Sequence, residues 1–360
     1  MRSSRRLSRS GQQRRTVAIA ANMQPVAAPA CQSSCLTILR TAAGSAPTVT
    51  HYELFRQSGI RVVAADSDPL SVGFVFADAA YVVPMAAASE YIETLLKICE
   101  QERVNWLMPA LDEELVTVAM RHKDFEQIGT KVLVSPLDSL RICTDKLETY
   151  RYFCSTGIPT PATKCGRNID LSQVTYPQIV KPQSGRGSTN IFVAHNQREL
   201  KFFLDYVPEP IVQTYIKGNE LTIDVLSDLQ ARPIFVLPRY RLQTDSGISF
   251  KAVTTTHERI ATYAARIAEG LRLVGPTNIQ CFIDDKGSIW FTEVNARLAG
   301  SAALTFAASP GFFEALADLL AGRPIMAPSQ TAKPLIMLRY WKEAYIEPER
   351  LAGLCRKVSS

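Results

Sequence analysis

The chain has 360 residues, 46% of them hydrophobic and 21% charged, with a formal net charge of +6. That length accommodates two or three domains with sizeable cores, and the composition is globular. No apolar run approaches the roughly 18 residues of a membrane span. Residues 1–35 hold six arginines and no acid, which accounts for the whole net charge. The rest is therefore not a general polyanion binder, and neither a nucleic acid nor a membrane is expected as partner.

Residues 1–35 read as a basic disordered extension or as a transit or export signal around the Arg14-Arg15 pair. A true start at Met23 would also explain them. Eight cysteines are scattered without paired metal spacing, Cys31 and Cys35 forming a lone CxxxC, as expected of reduced thiols in the cytoplasm. From Leu36, strands and helices alternate. LTILR and IRVVAAD read as strands, TAAGSAP as a turn and Val49–Gln57 as a helix. Ser89 is expected to cap a helix carrying Ile92, Leu95, Leu96 and Cys99, and VNWLMPA, a helix at Glu113–His122 and TKVLVSP follow. This alternation predicts a parallel sheet covered by helices. TAAGSAP lacks the three glycines of a dinucleotide-binding turn, so Asp66 alone does not indicate NAD, and no GxxxxGK[ST] loop occurs.

Past Pro136 comes a helical stretch to Gly157, then QIVKP, a strand ending in Lys181. The loop QSGRGS, with Ser184, Gly185, Gly187 and Ser188, has the small residues that let backbone N–H groups close over phosphates. NIFVA is its partner strand, and Asn196 with Glu199 forms a capping box for the next helix. Taken singly, Lys181 fits a solvated surface position and the loop a plain hairpin turn. The helix after His257 places Ile260, Ala264, Ile267, Ala268 and Leu271 on one packing stripe. PLIMLRYWKEAYI reads as a last strand.

Asn278 to Arg297 reads as a β-hairpin turning at Asp284–Gly287. With that turn, Gln280 lies opposite Phe291 and Asn278 opposite Glu293. Phe291, Glu293, Asn295 and Arg297 then share a face with Asn278 and Gln280. A turn one residue longer would move Gln280 to the other face. Converging carboxylate and amide oxygens beside an arginine suit Mg²⁺ in the company of phosphate. The same pattern also fits the exposed polar face of an edge hairpin.

TDK with GIPTP, IVKP–SGRGS, VQTYIKGNELT and NIQCF…FTEVNARLAGSAAL resemble the ATP-grasp superfamily. The similar branch holds the carbamoyl phosphate synthase large subunit, biotin carboxylase and PylC-like amino-acid ligases. The resemblance covers Leu36 to about Gly322. It implies an α/β, α+β architecture: an N-terminal parallel α/β (pre-ATP-grasp) domain over 36–137, an ATP-grasp domain of two subdomains over 138–330, and a C-terminal strand and tail over 331–360. It further implies ATP with Mg²⁺ or Mn²⁺, and an acyl phosphate made from a small-molecule carboxylate and captured by an amine.

By the same resemblance, Lys146 and Lys181 contact the nucleotide, with Ser184, Gly185, Gly187 and Ser188 as the lid. Thr214 and Ile216 bracket adenine through the backbone, Gln213 sits near its amino group, and Glu220 takes the ribose hydroxyls. Gln280, Glu293 and Asn295 resemble the metal ligands, and Arg297 grips the transferring phosphoryl group. Glu is commoner where Gln213 stands, Gly where Asn190 stands and Pro where Ala296 stands. Arg239, Arg241 and Lys251 fall in the acceptor-substrate segment, and Arg239 with Lys251 is assigned to substrate carboxylates; a solvated charged loop is the alternative there. A homodimer is an expectation from the family. Competing readings are activation of bicarbonate with ammonia, carboxylation with a biotin partner, and a nucleotide-binding regulator without turnover.

Overall fold

The computed structural model describes residues 36–45, 47–185, 187–325 and 332–356. The expectations for residues 1–35, including the Cys31–Cys35 spacing and the Met23 start, lie outside the described residues.

The N-terminal strands are β1 (Thr37–Arg40), β2 (Arg61–Asp66), β3 (Ala79–Val82), β4 (Trp106–Met108) and β5 (Lys131–Val132). They pair in parallel in the order β3-β2-β1-β4-β5. Both faces are buried, so β2 is a continuous apolar run. Val62 and Ala64 feed one core with Ile38, whereas Val63 and Ala65 feed another with Leu39. Ser89 does not cap the helix Tyr91–Glu102; the N-cap is Glu90, without a side-chain cap bond. Ser89 instead donates to the Glu90 carboxylate.

The helical stretch after Pro136 is two helices, Leu137–Thr144 and Lys146–Ser155. The break comes at Asp145, whose carboxylate accepts from the amides of Leu147 and Glu148 and caps the second helix. Next come β6 (Thr163–Cys165), β7 (Gln178–Pro182), β8 (Phe192–Ala194) and β9 (Pro210–Thr214). They form an antiparallel sheet in the order β6-β9-β7-β8. Asn196 caps the following helix by accepting from the Glu199 amide, as expected, but the Glu199 carboxylate accepts from the His195 amide at 2.8 Å, one residue before the cap, and not from the Asn196 amide that a capping box would use.

A larger antiparallel sheet follows, of β10 (Gly218–Ser227), β11 (Pro233–Asp245), β12 (Ile248–Thr254), β13 (Gly275–Asp284), β14 (Ile289–Asn295) and β15 (Ile336–Leu338). Its order is β14-β13-β10-β11-β12-β15. The helix Glu258–Gly270 buries Ile260, Ala264, Ile267 and Ala268 against one face, with Leu221, Ile223 and Ile279. Each buried isoleucine there contributes roughly 2 kcal/mol before entropy is charged. The helix Ala302–Ala308 covers part of the other face, where Thr305 meets Asp224. No single described helix is long and apolar enough to cross a membrane.

Only three residues of the expected last strand pair with the sheet, as β15 on its edge. The chain then returns as β16 (Cys355–Arg356), parallel to β3, and adds a sixth strand to the N-terminal sheet.

Candidate active site

The β13–β14 hairpin differs from its predicted register in two ways that add to a shift of two residues, which changes the partners but restores the face. Its turn is one residue longer than expected, so Ile283 lies opposite Ile289 rather than Ser288. A β-bulge then lets two residues of β14 oppose one of β13, and the register shifts between Gln280 and Cys281. Gln280 therefore sits directly opposite Glu293, and Asn278 opposite Asn295. The four polar residues share a face as the sequence suggests. Phe291 does not: opposite Cys281 and fully buried, it packs in the core on the other side.

β10 and β11 extend this polar face. In register with Asn278 and Gln280 stand Asp224 and Thr222, and Arg239 lies opposite Thr222. Glu220 approaches Arg241 Nη1 at 3.1 Å. The Gln280 amide is satisfied with its NH₂ donating to Glu293 Oε2 at 3.1 Å and its oxygen accepting from Arg241 Nη1 at 3.0 Å. Glu220, Arg241, Gln280 and Glu293 thus form one chain of contacts across β11, β10, β13 and β14. Burial raises the Glu220 pKa and the charge of Glu293 adds to it, with Arg241 opposing. Burial likewise lowers Arg241, with Glu220 opposing.

The four-stranded sheet supplies the opposite wall. Lys181 ends β7 and is buried, its Nζ donating to Gln213 Oε1 at 2.9 Å; Gln213 donates in turn to Thr163. Burial pushes Lys181 down to about 8, Lys146 adds to the effect, and Glu293 and Glu220 counteract it. Lys146 begins the helix that Asp145 caps, and its Nζ donates to the Gly185 carbonyl at 2.8 Å. Ser184, Gly185, Gly187 and Ser188 form an exposed loop between β7 and β8, and Thr214 with Ile216 lies where the chain crosses from the small sheet to the large one. Asn190, where the family favours glycine, has φ 57, a conformation asparagine tolerates. A Cβ on Gly247 would stand 3.0 Å from Gly187 Cα, so the β11–β12 turn abuts the glycine loop by backbone alone. Arg241 Nη2 ties the same turn to the site through the Gly247 carbonyl, at 2.8 Å.

Asn295 donates to Asn278 at 3.3 Å, and Asn278 donates to the Arg297 carbonyl at 3.2 Å. Arg297 Nη2 lies 2.5 Å from Asp112 Oδ2, at the start of the helix Asp112–Met120 of the N-terminal domain. Burial opposes the Arg297 charge, but Asp112 and Glu293 more than offset it and its pKa is raised. Arg239 is only 1% exposed and paired through two contacts with Asp224, at 2.8 and 3.2 Å, leaving Nη1 without a partner. Lys251 is exposed, and the register puts its neighbour Ala252 opposite Arg241, so Lys251 belongs to the face turned away from the site. Asp112 escapes the sequence because it lies 185 residues from Arg297, and Asp224 because its meeting with Arg239, 15 residues on, depends on the β10–β11 register.

The residues fit a magnesium–nucleotide. Lys181 and Arg241 are buried cations, Arg241 Nε lacks a partner, and Glu220 and Glu293 are close enough to repel. Phosphate would compensate the cations and a divalent ion the carboxylates. No cluster of three or more His, Cys, Asp or Glu occurs among the described residues; the oxygen donors that the hairpin itself offers are the carboxylate of Glu293 and the amides of Gln280 and Asn295.

A clamp of two antiparallel sheets behind a parallel domain, with basic residues on one jaw and oxygen ligands on the other, defines an ATP-grasp protein. The ATP-grasp domain family matches residues 143–301 and the PylC-like N-terminal domain family matches residues 38–133, so the chain carries an ATP-grasp domain preceded by a PylC-like N-terminal domain. It is 22% identical over 269 residues to a carbamoyl-phosphate synthase of Methanobrevibacter smithii, covering 70% of this chain and 72% of that protein. To the arginine-specific carbamoyl phosphate synthase large chain of Bacillus subtilis it is 25% identical over 264 residues, 67% of this chain but only 25% of the relative. Among solved structures, the ADP complex of Staphylococcus aureus N5-carboxyaminoimidazole synthetase superposes with TM-score 0.71 at 14% identity, covering 85% of this chain and 82% of that one. The biotin carboxylase domain dimer of Hydrogenobacter thermophilus 2-oxoglutarate carboxylase, solved with MgADP and bicarbonate, gives 0.68 at 16%, covering 81% and 71%. These likenesses establish the fold.

Proposed function

We propose that the protein is an ATP-dependent carboxylate–amine ligase, which phosphorylates a small carboxylate and lets an amine displace phosphate from the acyl phosphate. The observation that carries this reading is the buried Lys181, held by an amide oxygen instead of a carboxylate, facing the Glu220–Arg241–Gln280–Glu293 chain. That arrangement holds positive charge ready for phosphate and oxygen ligands ready for a hard cation.

Lys146 and Lys181 bind the nucleotide phosphates, and the glycine loop shields them from water. The segment Thr214–Ile216, with Gln213, receives the base, and Glu220 the ribose. Gln280, Glu293 and Asn295 hold Mg²⁺, which when bound neutralises phosphate charge. Arg297, aimed by Asp112, orients the carboxylate and offsets charge that develops as the phosphoryl group transfers. Bringing two anions together is the electrostatic task, and orientation supplies a further part of the rate, up to about 7–11 kcal/mol in well-aligned systems. Arg239 reaches substrate only through Nη1, since Asp224 occupies the rest of its guanidinium. The six described cysteines are free, which suits a cytoplasmic location.

The likeness to carbamoyl phosphate synthases favours a second reading, bicarbonate activated with ammonia. ADP release measured with bicarbonate plus ammonia, and with pairs of amino acids, separates the two. Stimulation by an acid and an amine together is expected; ATP binding without stimulation by any pair would refute ligase activity.

A further inference from the structure

Four arginines border the seam between the N-terminal sheet and the polar face of the large sheet. Arg40 ends β1, Arg239 lies on β11, Arg297 follows β14 and Arg339 follows β15. Each keeps one buried N–H without a partner: Nε in Arg40 and Arg297, Nη1 in Arg239 and Arg339. Asp224 pairs with Arg239 and Asp112 with Arg297, but Arg40 and Arg339 form no ion pair among the described residues. Arg339 donates to the Gly300 carbonyl at 2.6 Å. Glu114 acts on Arg40 electrostatically, yet its carboxylate already accepts from Thr41, Tyr91 and the amides of Ala110 and Leu111.

Contacts bring these groups together: His51 packs edge-on against Phe306 at 5.8 Å, the adjacent Thr305 meets the Asp224 that pairs with Arg239, and Arg339 bonds Gly300, which lies against Pro47 at the start of the His51 helix. The buried His51 ring is held neutral by burial and by the charges of Arg40 and Arg339 together. Arg339 also acts on the charge environment of Arg239, and Arg297 on that of Arg40. Both His51 nitrogens and Ser249 Oγ lack partners as well. Burying guanidinium without counter-charge is costly, and such groups are retained where something else supplies the charge.

This region is set apart from the phosphate end. Glu220, which pairs with Arg241, and Asp224, which pairs with Arg239, lie on the same strand with three residues between them, roughly 13 Å apart along β10. Arg239 and Arg297 stand between the two regions, one acting on Glu220 and the other interacting with Glu293. An anion beside Arg40 therefore lies away from the one that is phosphorylated.

We propose that Arg40 and Arg339, with Arg239 Nη1 behind them, form a pocket for a second, non-reacting carboxylate, so that the substrate is an amino acid or dicarboxylate rather than a simple monoacid. This rests on the ligase reading for which carboxylate reacts, but the pocket is testable by binding alone.

The test is thermal unfolding of the full chain with MgADP against the twenty amino acids, succinate, glutarate and sulfate, repeated with the α-amide of each amino acid that binds. A free acid is expected to raise Tm where its amide does not. Arg40→Met should abolish that shift while raising the ligand-free Tm, since burial penalises this charge by more than Glu114 offsets. Arg339→Met should also abolish the shift and weaken binding of the acid about 100-fold or more. The pocket is overturned if no acid shifts the wild-type Tm, if acid and amide act equally, if sulfate matches the best acid, or if Arg40→Met lowers the ligand-free Tm and keeps the shift. A shift that depends on both arginines, with no ADP release for any amine, would sink the ligase reading and leave the pocket standing.

Discussion

Replacing Lys181 with methionine should make the empty protein more stable and nearly unable to bind nucleotide. Burial moves the Lys181 pKa from an ordinary 10.5 to about 8. At about 1.4 kcal/mol per unit, the native state carries a penalty of about 3 kcal/mol for keeping this lysine charged below pH 8. Losing the hydrogen bond to Gln213 offsets roughly 1 kcal/mol of the gain from removing it. The variant should therefore be about 2 kcal/mol more stable at pH 7 in urea unfolding without nucleotide. The sign reverses the usual acid case. Between pH 8 and 10.5 the unfolded chain holds a proton that native Lys181 has lost, so wild-type stability rises with pH across that window. The variant's advantage should shrink to near zero by about pH 10. MgADP should stabilise the wild type and have little effect on the variant, with affinity down by about 100-fold or more. A variant less stable than wild type at pH 7, or a difference independent of pH, would mean that the fold itself already compensates the lysine.

Glu293→Ala should abolish ADP formation while circular dichroism and Tm stay close to wild type, because it removes the only acid among the proposed metal ligands and relieves repulsion with Glu220; a fully active variant would refute the metal assignment. Asp224→Ala strips Arg239 of its partner and Thr305 of its acceptor, and should cost about 3–5 kcal/mol in urea unfolding; a near-neutral result would show that another group neutralises Arg239. Gly247→Val forces a side chain into a position with φ +76, 3.0 Å from Gly187, so the glycine loop should close poorly and the KM for ATP should rise several-fold; an unchanged KM would refute contact between turn and loop during turnover.

Elements whose signals are local were legible from the chain alone. The apolar run of β2, the packing stripe at Ile260–Leu271, the Asn196–Glu199 cap and the lysine at the end of β7 all depend on neighbours within a few residues. The proposed metal face is local in the same sense, since Glu293, Asn295 and Gln280 supply oxygen donors by residue type alone. Ser89 misled because capping needs a backbone angle, not merely a suitable side chain, and the chain turns into the helix one residue later.

Hydrophobic periodicity and turn chemistry act over short spans, so the succession of elements and the chemical vocabulary of the clamp follow from the residues alone. Which charges meet is set by the packed fold. A long turn and a compensating bulge, neither audible in the residue types, bring Gln280 opposite Glu293 and bury Phe291. Asp224 claims Arg239, Asp112 reaches Arg297 across 185 residues, and Arg40 and Arg339 come to one seam from opposite ends of the described chain. Such pairings follow from strand register and sheet packing, where a shift of one residue exchanges one face for the other.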